Sequence, residues 1–437
     1  MKKIYFKDLC GYFEQEITIE GIVESVRNLQ YVVFVVVRDI TGKVQVTIEK
    51  EGNDELVESV SNLTSDSTVN IKGILKKNEK VKLNGMELIP SNIVVTSKCL
   101  GELPLNYRES KKSALLDTRL NYRFLDLRRE ENILLFQVQT CLINAMREFC
   151  VNNSFIEIHT PKLIGAASES GSDVFEVEYF GQKAYLAQSP QFYKQMAISS
   201  GFDKVFEVAP AFRAENSNSY RHATEFTSFD VELSYIESYE DVMSFEEDLL
   251  ITGLSAVKEK YGERIKNLFG VDVVVPSKPF PRIKLEDLYK ELENRYGFKM
   301  NFEDVGDMNS EAEKLASRYA MEEYGHEFIF VTDFSSKKRA FYHMRKDGVP
   351  QGYDLIWKGC EITTGAQREH RYEVLLEQSK EKGLGKDVEF YLEFFKYGCV
   401  PHGGFAIGVD RITMLLLETG SLKETMFLFR GPSRLTP

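Results

Sequence analysis

Apolar and polar positions alternate through most of the first hundred residues, in Ile17-Thr-Ile-Glu-Gly-Ile-Val-Glu-Ser-Val and again at 31–37, 44–48, 68–75 and 87–95. A period of two predicts half-buried strands, and turn residues such as Thr41-Gly42-Lys43 and Asn84-Gly85 fall between them at hairpin spacing. Five such strands predict a small closed barrel of the OB type, a fold that commonly binds single-stranded nucleic acid by stacking bases on aromatics. Tyr31 and Phe34 are the stacking candidates, although a Phe in an apolar strand is more often core. The pattern then fades into a charged connector bearing Arg119, Arg123, Arg128 and Arg129. The expected domains are therefore 1–105, a linker over 106–131, and a second domain over 132–437.

In the second domain the period lengthens. Ile133, Phe136, Leu142, Ile143, Met146 and Phe149 recur at helical spacing, with Asn152-Asn153 at the end. A strand at 155–158 runs into Thr160-Pro161, and a loop of small residues at 165–173 precedes strands at 175–180 and 184–186. Gln188-Ser-Pro-Gln-Phe-Tyr-Lys-Gln opens a helix, with Ser189 as cap and Pro190 at its first position. Lys194 and Gln191 then share one side of that helix, where an early lysine opposes the macrodipole. Strands at 205–208 and 231–235 precede a long helix capped by Ser238 and Asp241. An inserted, mostly helical and highly charged region spans about 270–325, and its residues 280–325 offer no chemistry. Strands at 328–331, 340–344 and 353–362, helices at 371–382 and 388–397, and a glycine-bearing run from His402 into a final helix complete an α+β chain. The fold expected is an OB barrel followed by an antiparallel sheet flanked by helices.

Composition narrows the function classes. A chain of 437 residues, 43% apolar and 28% charged, is long enough for two or three domains with large interiors. No apolar run reaches membrane-span length, so a cytoplasmic protein without membrane contact is expected. The six cysteines lie apart with no CxxC pair, which suggests free thiols rather than zinc or disulfides. The net charge of −12 argues against a polyanion partner, but residues 1–100 hold 13 basic and 14 acidic side chains, so a local nucleic-acid surface stays open.

Charge concentrates between Phe212 and Glu232, where Arg213, Glu215, Arg221, Glu225, Asp230 and Glu232 alternate with Phe212, Phe226, Phe229 and Val231. A sheet rarely buries such charges without partners. Arginines at 213, 221 and 411 suit phosphate oxygens, and Asp354, Glu361 and Thr364 suit Mg²⁺ held largely by substrate phosphates. Glycines before the helix carrying Arg411 permit close approach to an anion. There is no Walker A motif and no G-x-G-x-x-G after a strand, so the triphosphate site is expected on an antiparallel sheet. Each residue alone is more often a surface ion pair; three convergent stretches make that reading hard to sustain.

These stretches resemble the class II aminoacyl-tRNA synthetases: Phe155 to Pro161 is similar to motif 1, Phe212-Arg-Ala-Glu through Glu232 to motif 2, and Gly403 to Arg411 to motif 3. Gln188-Ser-Pro-Gln-Phe-Tyr-Lys-Gln, Glu361-Ile-Thr-Thr-Gly-Ala-Gln-Arg-Glu-His-Arg and the terminal Arg434-Leu-Thr-Pro further resemble aspartyl-tRNA synthetases of the archaeal and eukaryotic type. The resemblance covers almost the whole chain. It implies activation of L-aspartate by ATP with Mg²⁺ and transfer to the 3′ end of tRNA(Asp), with tRNA(Asn) left open, in a homodimer joined through the region from Ile133 to Pro161. The implied ATP site comprises Arg213, Ala214, Glu215, Arg221, His222, Ala223, Phe226, Glu361, Gly408, Val409, Asp410 and Arg411, with Arg213, Glu361 and Arg411 catalytic. The implied aspartate site comprises Glu169, Gln191, Phe192, Tyr193, Lys194, Arg213, Asp230, Thr364 and Arg368, in which Lys194 and Arg368 grip the side-chain carboxylate. Asp354, Glu361 and Thr364 would hold the metal, and Arg27, Phe34, Gln45 and Glu87 would read the anticodon.

Several positions depart from the family pattern. Ser170 replaces the first glycine of a Glu-Gly-Gly loop, Phe429 and Gly431 interrupt a usual Phe-Pro-Arg-Asp-Pro, and Thr364 stands where Ser is usual. The rival readings are an asparaginyl-tRNA synthetase, against which Lys194 counts; a tRNA-independent asparagine-forming ligase, which would lack the barrel; and a catalytically altered paralogue that binds RNA.

Overall fold

The computed structural model describes residues 3–165, 174–301 and 305–437. The chain divides into two compact units, Met1–Asn106 and Tyr107–Pro437. In the first, β1 (Glu16–Asn28), β2 (Val32–Arg38), β3 (Lys43–Glu49), β4 (Thr68–Lys77) and β5 (Met86–Ser97) form a closed barrel in the order β1-β2-β3-β5-β4, with α1 (Asp54–Ser61) between β3 and β4. Strand alternation decides what is inside. Val33, Val35 and Val37 are buried with Val44, Val46 and Ile48, whereas Phe34 faces outward and is half-buried. Phe34 is therefore not a core residue.

The second unit opens with α2 (Leu116–Asn121), α3 (Arg123–Asp126) and the long α4 (Glu130–Asn152), then β6 (Ile156–Glu157), β7 (Leu163–Ile164), β8 (Glu176–Tyr179), β9 (Gln182–Leu186) and α5 (Gln191–Ser199). The pair β10 (Lys204–Phe212) and β11 (Glu225–Ser234) precedes α6 (Tyr239–Phe269), β12 (Arg282–Lys284), α7 (Leu285–Tyr296), α8 (Ser310–Tyr324) and β13 (Phe328–Thr332). After β14 (Arg345–Lys346) and β15 (Val349–Pro350) come β16 (Gly352–Trp357), β17 (Cys360–Arg368), α9 (Tyr372–Glu381), α10 (Glu389–Glu393), β18 (His402–Gly408), α11 (Val409–Leu417) and α12 (Leu422–Thr425). An eight-stranded sheet in the order β12-β13-β16-β17-β18-β11-β10-β6 organises them. The six central strands are antiparallel, while both edge strands run parallel to their neighbours. The sheet is thus antiparallel through its centre, as expected, and mixed only at its rims.

Each strand shows two faces with different chemistry. Phe229 and Val231 of β11, with Phe405 and Ile407 of β18, enter an apolar core with Leu142 and Met146 of α4 and Leu250 and Leu254 of α6. The pairings Asp230 with Ala406, Thr364 with Ala406, Asp354 with Thr364, and Arg368 with His402 put Asp230, Asp354, Thr364 and Arg368 together on the opposite face. The helix expected from Ser238 is α6, and Ser238 and Asp241 close a reciprocal capping box at its start.

Several local expectations fail for identifiable reasons. The run 353–362 is a hairpin: Lys358 and Gly359 take left-handed φ values of 47° and 77° and separate β16 from β17. Residues 340–344 form no strand of their own, and His343 makes an isolated bridge to Arg368. The cap position of α5 is Pro190 rather than Ser189, although the Ser189 hydroxyl still accepts the Gln191 N–H at 3.1 Å. The charged stretch 106–131 folds into helices whose charges satisfy one another in the interior. Buried Asp126 accepts from Arg123 and Arg129, each at 2.7 Å, and Arg119 pairs with Glu424 at 3.0 Å. Within 270–325, β12 extends the main sheet, and α7 and α8 cover β13 and β16 through Leu288, Leu292, Ala316, Ile329, Val331 and Ile356.

Candidate active site

Helix α5 turns Gln191 and Lys194 toward the polar face of the sheet, where Lys194 is 2% and Arg368 3% exposed. Desolvating two cations that deeply requires compensation. Glu232 supplies it: its carboxylate lies 3.3 Å from Lys194 Nζ and 3.0 Å from Arg368 Nε. Asp230 adds a second anion, 3.2 Å from Lys194, and accepts the Ser228 hydroxyl at 2.6 Å. Burial alone would raise the Glu232 pKa, but Arg368 and Lys194 outweigh it and hold the group below the usual carboxylate range. Arg368 also donates to the Gly404 carbonyl at 2.8 Å and to Gln191 Oε1 at 3.2 Å. A side chain at 404 is excluded, because its Cβ would stand 2.3 Å from Glu232 Oε2. Glycine at 404 admits an internal carboxylate, whereas Gly408, at the N-cap of α11, lines the neighbouring cleft.

Glu232 is not among the site residues that the resemblance implies, although it sits two residues after Asp230 and hence on the same strand face. Phe192, one of the implied aspartate-site residues, instead stacks its ring at 4.3 Å on Tyr391 in a separate aromatic cluster with Phe341. Tyr193 is half-buried, and burial raises its pKa. Glu169 and Ser170 lie outside the described residues.

Beside this buried charge cluster a cleft is lined by Ser189, Arg213, Glu215, Arg221, His222, Ala223, Phe226, Ser228, Glu361, Thr364, Gly408, Asp410 and Arg411. The Arg213 guanidinium covers the Phe226 ring at 5.4 Å and approaches Glu215 at 3.8 Å. Arg411, in the first turn of α11, donates to the Glu361 carbonyl at 2.8 Å. Arg221 pairs with Glu313, which also accepts the Glu361 N–H at 2.9 Å. Glu313 stands on α8, in the stretch from which no chemistry was expected; the need of a part-buried arginine for a counter-charge was its one signal. His222 Nδ1 lies 2.5 Å from Ser219 Oγ, and burial lowers its pKa. Asp410 accepts the Thr227 N–H at 3.0 Å and tethers α11 to β11, while burial pushes its pKa up to about 6. Two predicted members fall elsewhere: the Val409 side chain belongs to the core, and Ala214 is not among the cleft-lining residues.

Of the expected metal set, Glu361 and Thr364 stand together at the cleft, the Thr364 hydroxyl donating to Glu361 Oε1 at 2.9 Å. Asp354 is buried and engaged by Arg339 at 2.5 Å, so it corrects to an ion-pair member; its Oδ1 accepts no hydrogen bond. Among the described residues no group of three or more His, Cys, Asp and Glu side chains is placed to hold a metal. One carboxylate and one hydroxyl fit Mg²⁺, which takes few protein ligands when substrate phosphates supply the rest. The altered C-terminal run is internally consistent. Buried Phe429 fills the space in which a Cβ at 431 would meet its ring at 2.6 Å, and the Arg430 carbonyl accepts the Thr224 N–H at 3.0 Å.

On the barrel, Arg27 is registered with Phe34, and Gln45 with Glu87, along one cleft that also holds Tyr31. Thr47 and Asn78, absent from the sequence reading, donate to the two oxygens of Glu87 at 2.5 and 2.7 Å and fix its plane.

Residues 115–430 match the family model of class II tRNA synthetases (D, K and N), and residues 17–96 match that of the OB-fold nucleic acid binding domain. The chain is 40% identical over 428 residues to an aspartate–tRNA(Asp) ligase of Pyrococcus furiosus, spanning 97% of this chain and 96% of the relative. It is 41% identical over 428 residues to an aspartate–tRNA(Asp/Asn) ligase of Methanopyrus kandleri, with the same coverage of 97% and 96%. Among solved structures, an asparaginyl-tRNA synthetase of Pyrococcus horikoshii complexed with asparaginyl-adenylate superposes with a TM-score of 0.91 at 29% identity, over 100% of both chains. An aspartyl-tRNA synthetase of Entamoeba histolytica superposes with a TM-score of 0.86 at 30% identity, over 100% of this chain and 93% of that one.

Proposed function

The chain belongs to the class II tRNA synthetases of the D, K and N group, and from that membership we propose that it works as an aspartate–tRNA ligase with the following division of labour. ATP occupies the cleft, its adenine against Phe226 and its phosphates beside Arg213, Arg221 and Arg411. Aspartate occupies the neighbouring pocket, its side-chain carboxylate toward Lys194 and Arg368 and its ammonium toward Asp230 and Gln191. An α-carboxylate oxygen forms a bond to the α-phosphorus as the bond to the leaving pyrophosphate breaks, and the adenylate then passes its acyl group to the terminal ribose of the tRNA. No covalent enzyme intermediate is involved. Positioning and fixed positive charge supply the acceleration, with Arg213 beside the reacting carboxylate and α-phosphate. Magnesium, when bound beside Glu361 and Thr364, supplies charge neutralisation on the phosphates.

The observation that carries this reading is the buried pair of cations, Lys194 and Arg368, adjoining the arginine-lined cleft. Two cations favour aspartate over asparagine, because a side-chain carboxylate gains charge-assisted hydrogen bonds from both that a neutral amide cannot match. Amino-acid-dependent ATP–pyrophosphate exchange tests it: aspartate should support exchange and asparagine should not, and equal activation would refute the specificity. Arg213→Ala should abolish exchange while leaving the fold intact; retained adenylate formation would remove Arg213 from its role. The relatives' printed specificities differ in the tRNA charged, so charging of tRNA(Asp) and tRNA(Asn) transcripts decides between single and dual use. The barrel cleft with Arg27, Phe34, Gln45 and Glu87 is the proposed anticodon site. Among the described residues no helix is long and apolar enough to cross a membrane, and the proposed location is the cytoplasm. We further infer a homodimer through the region from Ile133 to Pro161; sedimentation as a monomer at assay concentration would refute it.

A further inference from the structure

Behind the wall of the amino-acid pocket, four side chains form a continuous hydrogen-bonded line. Arg368 Nη2 meets Gln191 Oε1 at 3.2 Å, Gln191 Nε2 meets Gln195 Oε1 at 2.8 Å, Gln195 Nε2 meets His402 Nε2 at 2.9 Å, and His402 Nδ1 meets the Val400 carbonyl at 2.8 Å. Gln191 is 5% and Arg368 3% exposed, and Gln195 and His402 are wholly buried.

The direction of this line follows from its ends. Guanidinium is donor-only, so Gln191 must turn its oxygen to Arg368 and its amide N–H to Gln195. At the other end a carbonyl is acceptor-only, so His402 must carry its proton on Nδ1. In the neutral ring Nε2 is then an acceptor, and Gln195 must face it with N–H. The two ends therefore impose the same arrangement, and a third donor agrees with it: the Tyr391 hydroxyl donates to Gln195 Oε1 at 3.0 Å. Burial lowers the His402 pKa to about 4, which keeps the ring neutral. Loss of the acceptor at His402 Nε2 would free Gln195 to rotate, and a rotated Gln195 would in turn present N–H to Gln191. Gln191 would then face Arg368 with its own N–H, setting donor against donor beside the position proposed for the ammonium group.

We propose that Gln195 and His402 are positioning residues for the amino acid: through one directed line of hydrogen bonds they fix the carboxamide of Gln191 and the guanidinium of Arg368. This rests on the aspartate-site reading above. The line is specific to the amino-acid side of the site, because none of its members lines the nucleotide cleft.

The test is steady-state ATP–pyrophosphate exchange with purified full-length Gln195→Leu, Gln195→Glu and wild-type chains, varying amino acid and ATP separately. The wild type is assayed first with aspartate and asparagine. Failure with aspartate would refute the aspartate reading alone, and the line is judged with whichever amino acid the wild type activates. Gln195→Leu should raise the amino-acid KM by about tenfold or more, as a buried donor is left without an acceptor, with the ATP KM within about twofold. An unchanged amino-acid KM, or a parallel rise in both, would overturn the proposal, since a general loss of structure moves both. Gln195→Glu keeps the acceptor for Gln191 and Tyr391, and its second oxygen shares one added proton with His402 Nε2, so its amino-acid KM should stay within about threefold of wild type; a tenfold rise would overturn the proposal. Nitrogen-15 shifts of histidine-labelled wild-type protein give a reading that needs no variant. The expected signal is a buried, neutral, Nδ1-protonated ring, and an Nε2-protonated ring at His402 would overturn the proposal.

Discussion

Glu232 shows how a single buried carboxylate can hold a site together before any ligand arrives. It balances Lys194 and Arg368, and removing one member of such a group leaves the others as uncompensated buried charges. Glu232→Gln should therefore cost about 3–5 kcal/mol of stability in denaturant unfolding; a loss below about 1 kcal/mol would mean that water or backbone carbonyls compensate the cations instead. Glu246 gives the opposite electrostatic case. It is fully buried on α6, accepts the Tyr353 hydroxyl at 2.7 Å, and burial pushes its pKa from 4.5 up to about 8. Between those two values the folded chain holds a proton that the unfolded chain has released, so this group's contribution to stability falls as pH rises, by about 1.4 kcal/mol per unit for one proton. Glu246→Gln keeps a hydrogen-bond acceptor without the charge. Its stability relative to wild type should climb from pH 5 to above pH 8, as thermal melts across that range would reveal.

At the scale of elements, each functional group is aimed by a short structural device. The capping box of Ser238 and Asp241 starts the 31-residue helix α6 that carries Glu246 and packs with α4 in the core under the sheet. Ser238→Ala should cost about 0.5–2 kcal/mol and lower the melting temperature without changing the ATP KM. The hairpin turn at Lys358-Gly359 separates β16 from β17, so that Asp354 and Thr364 return to the same face in register. Helix α8 contributes Glu313 to Arg221 from outside the motifs. Glu313→Gln should thus raise the ATP KM while sparing the amino-acid KM, a split that steady-state exchange can measure.

For the whole molecule, the barrel has its own closed strand order and its own apolar core, with Val35, Val46, Ile71 and Leu88 wholly buried. A fragment ending at Asn106 should accordingly fold cooperatively alone, with a single two-state urea transition. Absence of a cooperative transition would show that its stability depends on the rest of the chain.

Much of this architecture was readable along the chain. The barrel strands, helices α4 and α6, and the grouping of Arg213, Arg221, Glu361, Lys194, Arg368 and Arg411 follow from local periodicity, from charge placed where apolar residues alternate, and from family motifs. Those signals are short-range: a strand face is fixed by every second residue, and a cap by its own first turn. Tertiary structure decided which charges neutralise which. Glu232 between two cations, Arg339 on Asp354, Glu313 on Arg221 and Glu424 on Arg119 join residues far apart in sequence. Spacing cannot encode such pairings, because the desolvation that makes them obligatory exists only once the chain has packed.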